Sequence, residues 1–154
     1  MQKFQRRLIS LAKKREITFK DAALVILAKD GLKPLSTVGF CSSPGLVKVL
    51  NEYEIPFNVR DGRIYIGTSA RNSGNLHDGT SFGFPRCCSS VFLNPVAFMF
   101  ARRSRNSFSS LSPYIFHVPC SEKCAETAKL AERYMSHIKN NYPVVAEKIE
   151  KMLC

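Results

Sequence analysis

Pro56-Phe57-Asn58-Val59-Arg60-Asp61-Gly62-Arg63-Ile64-Tyr65-Ile66-Gly67-Thr68 reads as two short strands joined by a two-residue turn. Phe57 and Val59 alternate with Asn58 and Arg60, and Ile64 and Ile66 share one face of the returning strand. Asp61-Gly62 is a dipeptide that tolerates the left-handed backbone of a tight hairpin turn. Upstream, Leu35 to Cys41 is a third β-prone run. Between them Ser43-Pro44 supplies an N-cap and a first-turn proline, and Leu46, Val49, Leu50 and Tyr53 follow at helical spacing. Residues 35–68 therefore form a strand–helix–hairpin, βαβ-like in order. They predict an α+β fold: a small sheet of about three strands, including a hairpin, packed with several helices.

The flanks supply those helices. Residues 2–15 carry Phe4, Leu8, Leu11 and Ala12 on one helical stripe. Thr18, with Asp21 three residues on, is an imperfect capping box for a second helix that ends near Gly31. Its run Ala22 to Ala28 is apolar on all sides, as in a buried helix. Residues 1–31 are thus an N-terminal helical pair. Residues 69–83 are a polar, glycine-rich loop containing His77 and Asp78, and residues 84–154 are mainly helical. A helix from about Pro85 carries Cys87 and Cys88 and is broken before Pro95. A Ser/Arg-rich connector over 102–113 leads to an extended Tyr114–Val118. Ser121 then caps a long helix to about Lys139, with His137 facing out of it, and Pro143 opens the last helix. No repeat or linker divides residues 1–154, which read as a single domain.

Of the 154 residues 45% are hydrophobic and 23% charged, a globular composition. The longest apolar run has seven residues, against about 20 needed to cross a bilayer. Met1 to Arg15 lacks the continuous apolar stretch of a secretory signal. A cytoplasmic location with no membrane partner is the expectation. The net charge is +11. Arg6, Arg7, Lys13 and Lys14 crowd the first helix. No acidic residue falls between Gly79 and Ser121, where Arg102, Arg103 and Arg105 lie near Phe98, Phe100 and Phe108. Such a field favours an anionic partner, nucleic acid or a phosphorylated ligand; it equally serves as a solvated surface that keeps the chain soluble.

Six cysteines in a reducing compartment point first to metal binding or catalysis and second to disulfides. Four fall in two motifs, Phe84-Pro85-Arg86-Cys87-Cys88 and His117-Val118-Pro119-Cys120-Ser121-Glu122-Lys123-Cys124. Each motif sets thiols at or just before the start of a predicted helix, where free N–H groups favour thiolates. Cys87, Cys88, Cys120, Cys124 and His117 are the candidate ligands for zinc or an iron–sulfur cluster. Adjacent helical residues diverge by about 100°. Cys87 and Cys88 therefore reach one mononuclear metal only if the helix has not begun at Cys87. A multinuclear cluster, or three sulfurs with His117, is easier to build. Two further uses stay open: a thiol enzyme, with Cys87 or Cys120 as nucleophile and His117 as base, or a disulfide. Buried packing is the plain reading of Cys124, which shares a stripe with Ala128, Ala131, Met135 and Ile138, and of Cys88. Cys41 and Cys154 are set apart from the group.

At these same residues the chain resembles a prokaryotic, largely archaeal family, domain of unknown function 483. The likeness lies in Gly83-Phe84-Pro85-Arg86-Cys87-Cys88 and His117-Val118-Pro119-Cys120-Ser121-Glu122-Lys123-Cys124, with Ile55-Pro56 and Gly62-Arg63-Ile64-Tyr65 alongside. It spans residues 35–139 and implies that Cys87, Cys88, Cys120, Cys124 and His117 are motif positions, without implying an activity. Arg86 departs from the acidic or neutral residue expected there and makes this copy's site more basic. The resemblance also implies an archaeal source, which weakens the case for reduced thiols.

Overall fold

The structure, a computed structural model, describes residues 2–39, 43–70, 79–92 and 102–151. Among them are six α-helices and one three-stranded sheet. Helix α1 spans Lys3–Lys13 and α2 Phe19–Lys29. The capping box of α2 is complete: the Asp21 amide donates to Thr18 Oγ1 at 3.0 Å, and the Thr18 amide to Asp21 Oδ2 at 2.8 Å. Gly31, at φ +71°, closes α2 by sending its amide to Ala28 O while Leu32 sends its own to Leu27 O. This paired bonding satisfies two carbonyls that the helix end would otherwise leave bare. Ala22, Ala23, Val25, Ile26 and Leu27 are fully buried, so α2 is the central helix, as its all-round apolar run requires.

Strand β1 is Ser36–Val38, β2 Phe57–Arg60 and β3 Arg63–Ile66. Helix α3, Pro44–Glu52, is capped by the Ser43 hydroxyl, which accepts from the Leu46 amide at 3.0 Å. The sheet order is β1-β3-β2, antiparallel throughout. β1 and β2 thus run parallel to each other, but the βαβ-like unit is split, because the hairpin return β3 lies between them. The turn takes positive φ at both central residues, Asp61 and Gly62, the conformation whose twist suits adjoining strands. β2 is an edge strand with Val59 48% exposed, whereas central β3 is buried on both faces. Ile64 and Ile66 enter the main core with α1, α2 and α3; Tyr65 joins a second cluster with Leu35, Ala70 and Phe82.

Helix α4 is Arg86–Phe92, α5 Ala125–Asn141 and α6 Pro143–Lys151. Four expectations are corrected here. The Ser/Arg connector is a 3-10 helix, Arg102–Tyr114, packed against α5. Residues 115–119 form no strand. The long helix begins at Ala125 rather than beside Ser121, because residues 121–124 turn first and Cys124 takes the N-cap position. His137, expected to face outward, is half-buried and lies 2.8 Å from Asp30 Oδ2, which the Tyr142 hydroxyl also reaches at 2.8 Å. This contact ties α5 to the end of α2. The break before Pro95, the loop residues His77 and Asp78, and Phe98, Phe100, Cys41 and Cys154 lie outside the described residues. Among the described residues no helix is long and apolar enough to cross a membrane.

Candidate metal centre

A closed turn aims the first cysteine pair. The Phe84 amide returns to Gly79 O at 3.1 Å and the Gly83 amide to Thr80 O at 2.9 Å. Gly83 sits at φ +71° against the Pro34 ring, and Gly79 packs so closely on Ser89 and Phe84 that a side chain there would collide with them. Pro85 O then accepts from the amides of Cys88 and Ser89, both at 2.9 Å, opening α4. The second pair comes from the turn before α5, with Cys124 at its N-cap.

The two pairs meet. The four Sγ atoms of Cys87, Cys88, Cys120 and Cys124 all lie within 4.8 Å of one another. Cys87 to Cys124 and Cys88 to Cys124 are each 3.7 Å, and Cys87 to Cys88 is 3.9 Å. All four are free thiols, and the gaps exceed the roughly 2.0 Å of a disulfide. Cys88 and Cys124 are buried, Cys120 is half-buried and Cys87 is exposed. The expected obstacle at Cys87 does not arise. Its helix has begun one residue earlier, at Arg86, yet the side chains of Cys87 and Cys88 still converge at their sulfurs.

His117 is outside this set of four. It is buried, its Nε2 lies 2.9 Å from Thr127 Oγ1, and its ring stacks on Phe84 at 5.1 Å. Thr127 Oγ1 is in turn 3.3 Å from Cys88 Sγ. The histidine therefore reaches the sulfurs through the threonine hydroxyl, an arrangement that orients ligands. Thr127 was not legible as a site residue, although it stands three residues after the N-cap cysteine, where a helix habitually turns a group back on its cap.

The thiols differ in acidity. Burial pushes Cys88 far up, against the opposing pull of the Thr127 hydroxyl and the Cys120 amide. Burial, then Cys124 and Cys87, push Cys120 up to about 11. Burial also opposes ionisation of Cys124, but the hydroxyl and amide of Thr127, with Cys120 and Cys87, outweigh it and bring the thiol down to about 7. The group thus has one preferred seat for negative charge, facing the hydrogen-bond donors of Thr127.

Of the residues expected to meet nucleic acid, Arg6 and Lys13 are exposed on α1 and Lys14 just after it, whereas Arg7 pairs with Glu52 at 2.8 Å, as Lys3 does at 3.0 Å. The side chains of Arg102, Arg103 and Arg105 fall outside what the structure describes. No family model matches this chain, and neither the curated proteins nor the solved structures contain a match to it.

Proposed function

We propose that Cys87, Cys88, Cys120 and Cys124 hold one metal ion, zinc by ligand chemistry, which fastens α4 to the start of α5. The observation that carries this is the spacing of the sulfurs. Zinc–sulfur bonds of about 2.3 Å put the corners of a regular ZnS4 tetrahedron about 3.8 Å apart. Three of the sulfur pairs stand at 3.7, 3.7 and 3.9 Å, with the fourth sulfur inside the 4.8 Å limit. An iron–sulfur cluster divides its thiolates among two or more irons and needs a wider spread, so the spacing favours a single ion. Soft thiolates select zinc over hard cations. Four protein ligands leave no open position for substrate, which favours a structural role over a catalytic one. The Thr127 hydroxyl, backed by His117, supplies the outer hydrogen bond that such a site uses.

Metal content and a sulfur-sensitive X-ray absorption spectrum, taken on protein purified without oxygen, test this. One zinc per chain is expected, with a single shell of four sulfurs at about 2.3 Å and no metal–metal vector. A metal–metal vector would replace the single ion by a cluster. Metal-free protein with four titratable thiols, unable to take up added zinc or cobalt, would refute the site altogether. We propose kinship with domain of unknown function 483, resting chiefly on these same cysteine steps, with Ile55-Pro56 and Gly62-Arg63-Ile64-Tyr65 alongside.

A further inference from the structure

Beside the cysteines lies a groove of about 280 Å³ whose two walls are the segments that deliver them. One wall is Phe84 and Pro85, which lead into Cys87. The other is the outer face of α5 just after Cys124, with Glu126, Lys129, Leu130 and Arg133. Phe84, Pro85 and Leu130 make the apolar part of its lining. Its rim carries two cations and one carboxylate.

The rim charges are not all committed. Glu126 and Lys129 pair at 3.2 Å, with both side chains well exposed, a contact worth little in water. Among the described residues no carboxylate pairs with Arg133. The groove therefore keeps a surplus positive charge, in a molecule of net charge +11. Its Phe84 wall belongs to a stretch, Gly79 to Ser121, without a single acidic residue.

The Phe84 ring is not available to stack a base. It already stacks on Phe82 at 5.6 Å and on His117 at 5.1 Å, and the Lys33 ammonium stands 4.6 Å from its centre. A ring so engaged offers its rim, which is the electropositive part of an aromatic side chain. Apolar lining, positive aromatic rim and a planar guanidinium together match a hydrocarbon or aromatic body bearing one carboxylate or phosphate. The volume, about 280 Å³, is just under the usual range of ligand sites and matches one such group.

We infer that this groove is a binding site for a small organic anion, with Arg133 and Lys129 taking the acidic group and Phe84, Pro85 and Leu130 the apolar body. None of the four thiols lines the groove, so its ligand contacts are distinct from the proposed metal ligands.

The test titrates phenyl phosphate, phenylacetate, benzyl alcohol and inorganic phosphate into the full chain, as purified. Binding is followed by the backbone amide resonances of Lys129, Leu130 and Arg133. Phenyl phosphate or phenylacetate should shift these three before any others, and which of the two binds tighter names the acidic group. Benzyl alcohol and inorganic phosphate should each bind at least about tenfold more weakly, having only half of the recognised chemistry. The double variant Lys129→Gln/Arg133→Gln, on an exposed helical face, should lose about tenfold or more in affinity with an unchanged circular dichroism spectrum. Lys13→Gln/Lys14→Gln, at the end of α1, should lose nothing. Unmoved resonances at millimolar probe, equal binding of benzyl alcohol, or equal losses in the two double variants would each overturn the inference. The last result would assign the binding to the diffuse charge of the molecule.

Discussion

Lys33 offers a prediction whose size follows directly from its surroundings. The residue is 2% exposed. Its ammonium donates to Phe82 O and stands over the rings of Phe82 and Phe84 at 5.9 and 4.6 Å, and no described carboxylate pairs with it. Burial pulls its pKa from 10.5 to about 7. A folded pKa below the unfolded one means that the unfolded chain binds more proton between the two values. Stability therefore rises with pH across that window. At about 1.36 kcal/mol per pH unit, flattened near pH 7 where the folded group is half-charged, Lys33 should add about 2 kcal/mol between pH 7 and 9. Lys33→Met keeps the unbranched stem and removes the charge. It forfeits one hydrogen bond, worth about 1 kcal/mol, yet should still be the more stable protein at pH 7. Urea unfolding of both proteins at pH 7, 8 and 9 measures this. The difference between them cancels the other titrating groups, the cysteines and buried tyrosines among them. The advantage of Lys33→Met should shrink by about 2 kcal/mol from pH 7 to 9. A difference independent of pH would refute the claim that the ammonium is desolvated.

Three further outcomes are expected. Thr127→Val keeps the shape but removes the hydroxyl that joins His117 to Cys88. It should weaken zinc affinity about 10–100-fold in a chelator competition without unfolding the chain. Asp30→Ala leaves His137 and Tyr142 without their shared acceptor and should cost about 2 kcal/mol in urea unfolding at pH 7. Burial opposes ionisation of Asp30, but bonds from His137, Tyr142 and Lys29 hold its pKa below the usual range. This contribution is accordingly complete above the ordinary carboxylate value and fades as acid approaches the folded one. Gly67, at φ +124°, would drive a side chain into the Pro34 carbonyl, whereas Gly62, at φ +71°, opens on empty space. Gly67→Ala should lower the melting temperature well beyond the effect of Gly62→Ala, which is expected to cost only about 1 kcal/mol.

The strand–helix–hairpin was legible in residues 35–68 because its signals are local. Asp61-Gly62 sets a backbone conformation, Ser43-Pro44 starts a helix, and neither needs a distant partner. The same holds for Thr18 and Asp21 at the head of α2 and for Gly31 at its end. The four cysteines were legible as a candidate cluster, since two short motifs carry them, while metal binding, thiol chemistry, a disulfide and packing all stayed open.

Their geometry was not legible. Rotation along a helix seemed to part Cys87 from Cys88, yet in the folded chain their sulfurs stand 3.9 Å apart. Nor does any local pattern mark Lys33 or His137, whose roles come from groups distant along the chain: Lys33 with Phe82 and Phe84, His137 with Asp30. Periodicity, caps and turns act within a few residues and can be read along the chain. Burial of a charge and convergence of sulfurs are set by what packs across the gap, which only the folded arrangement of the helices decides.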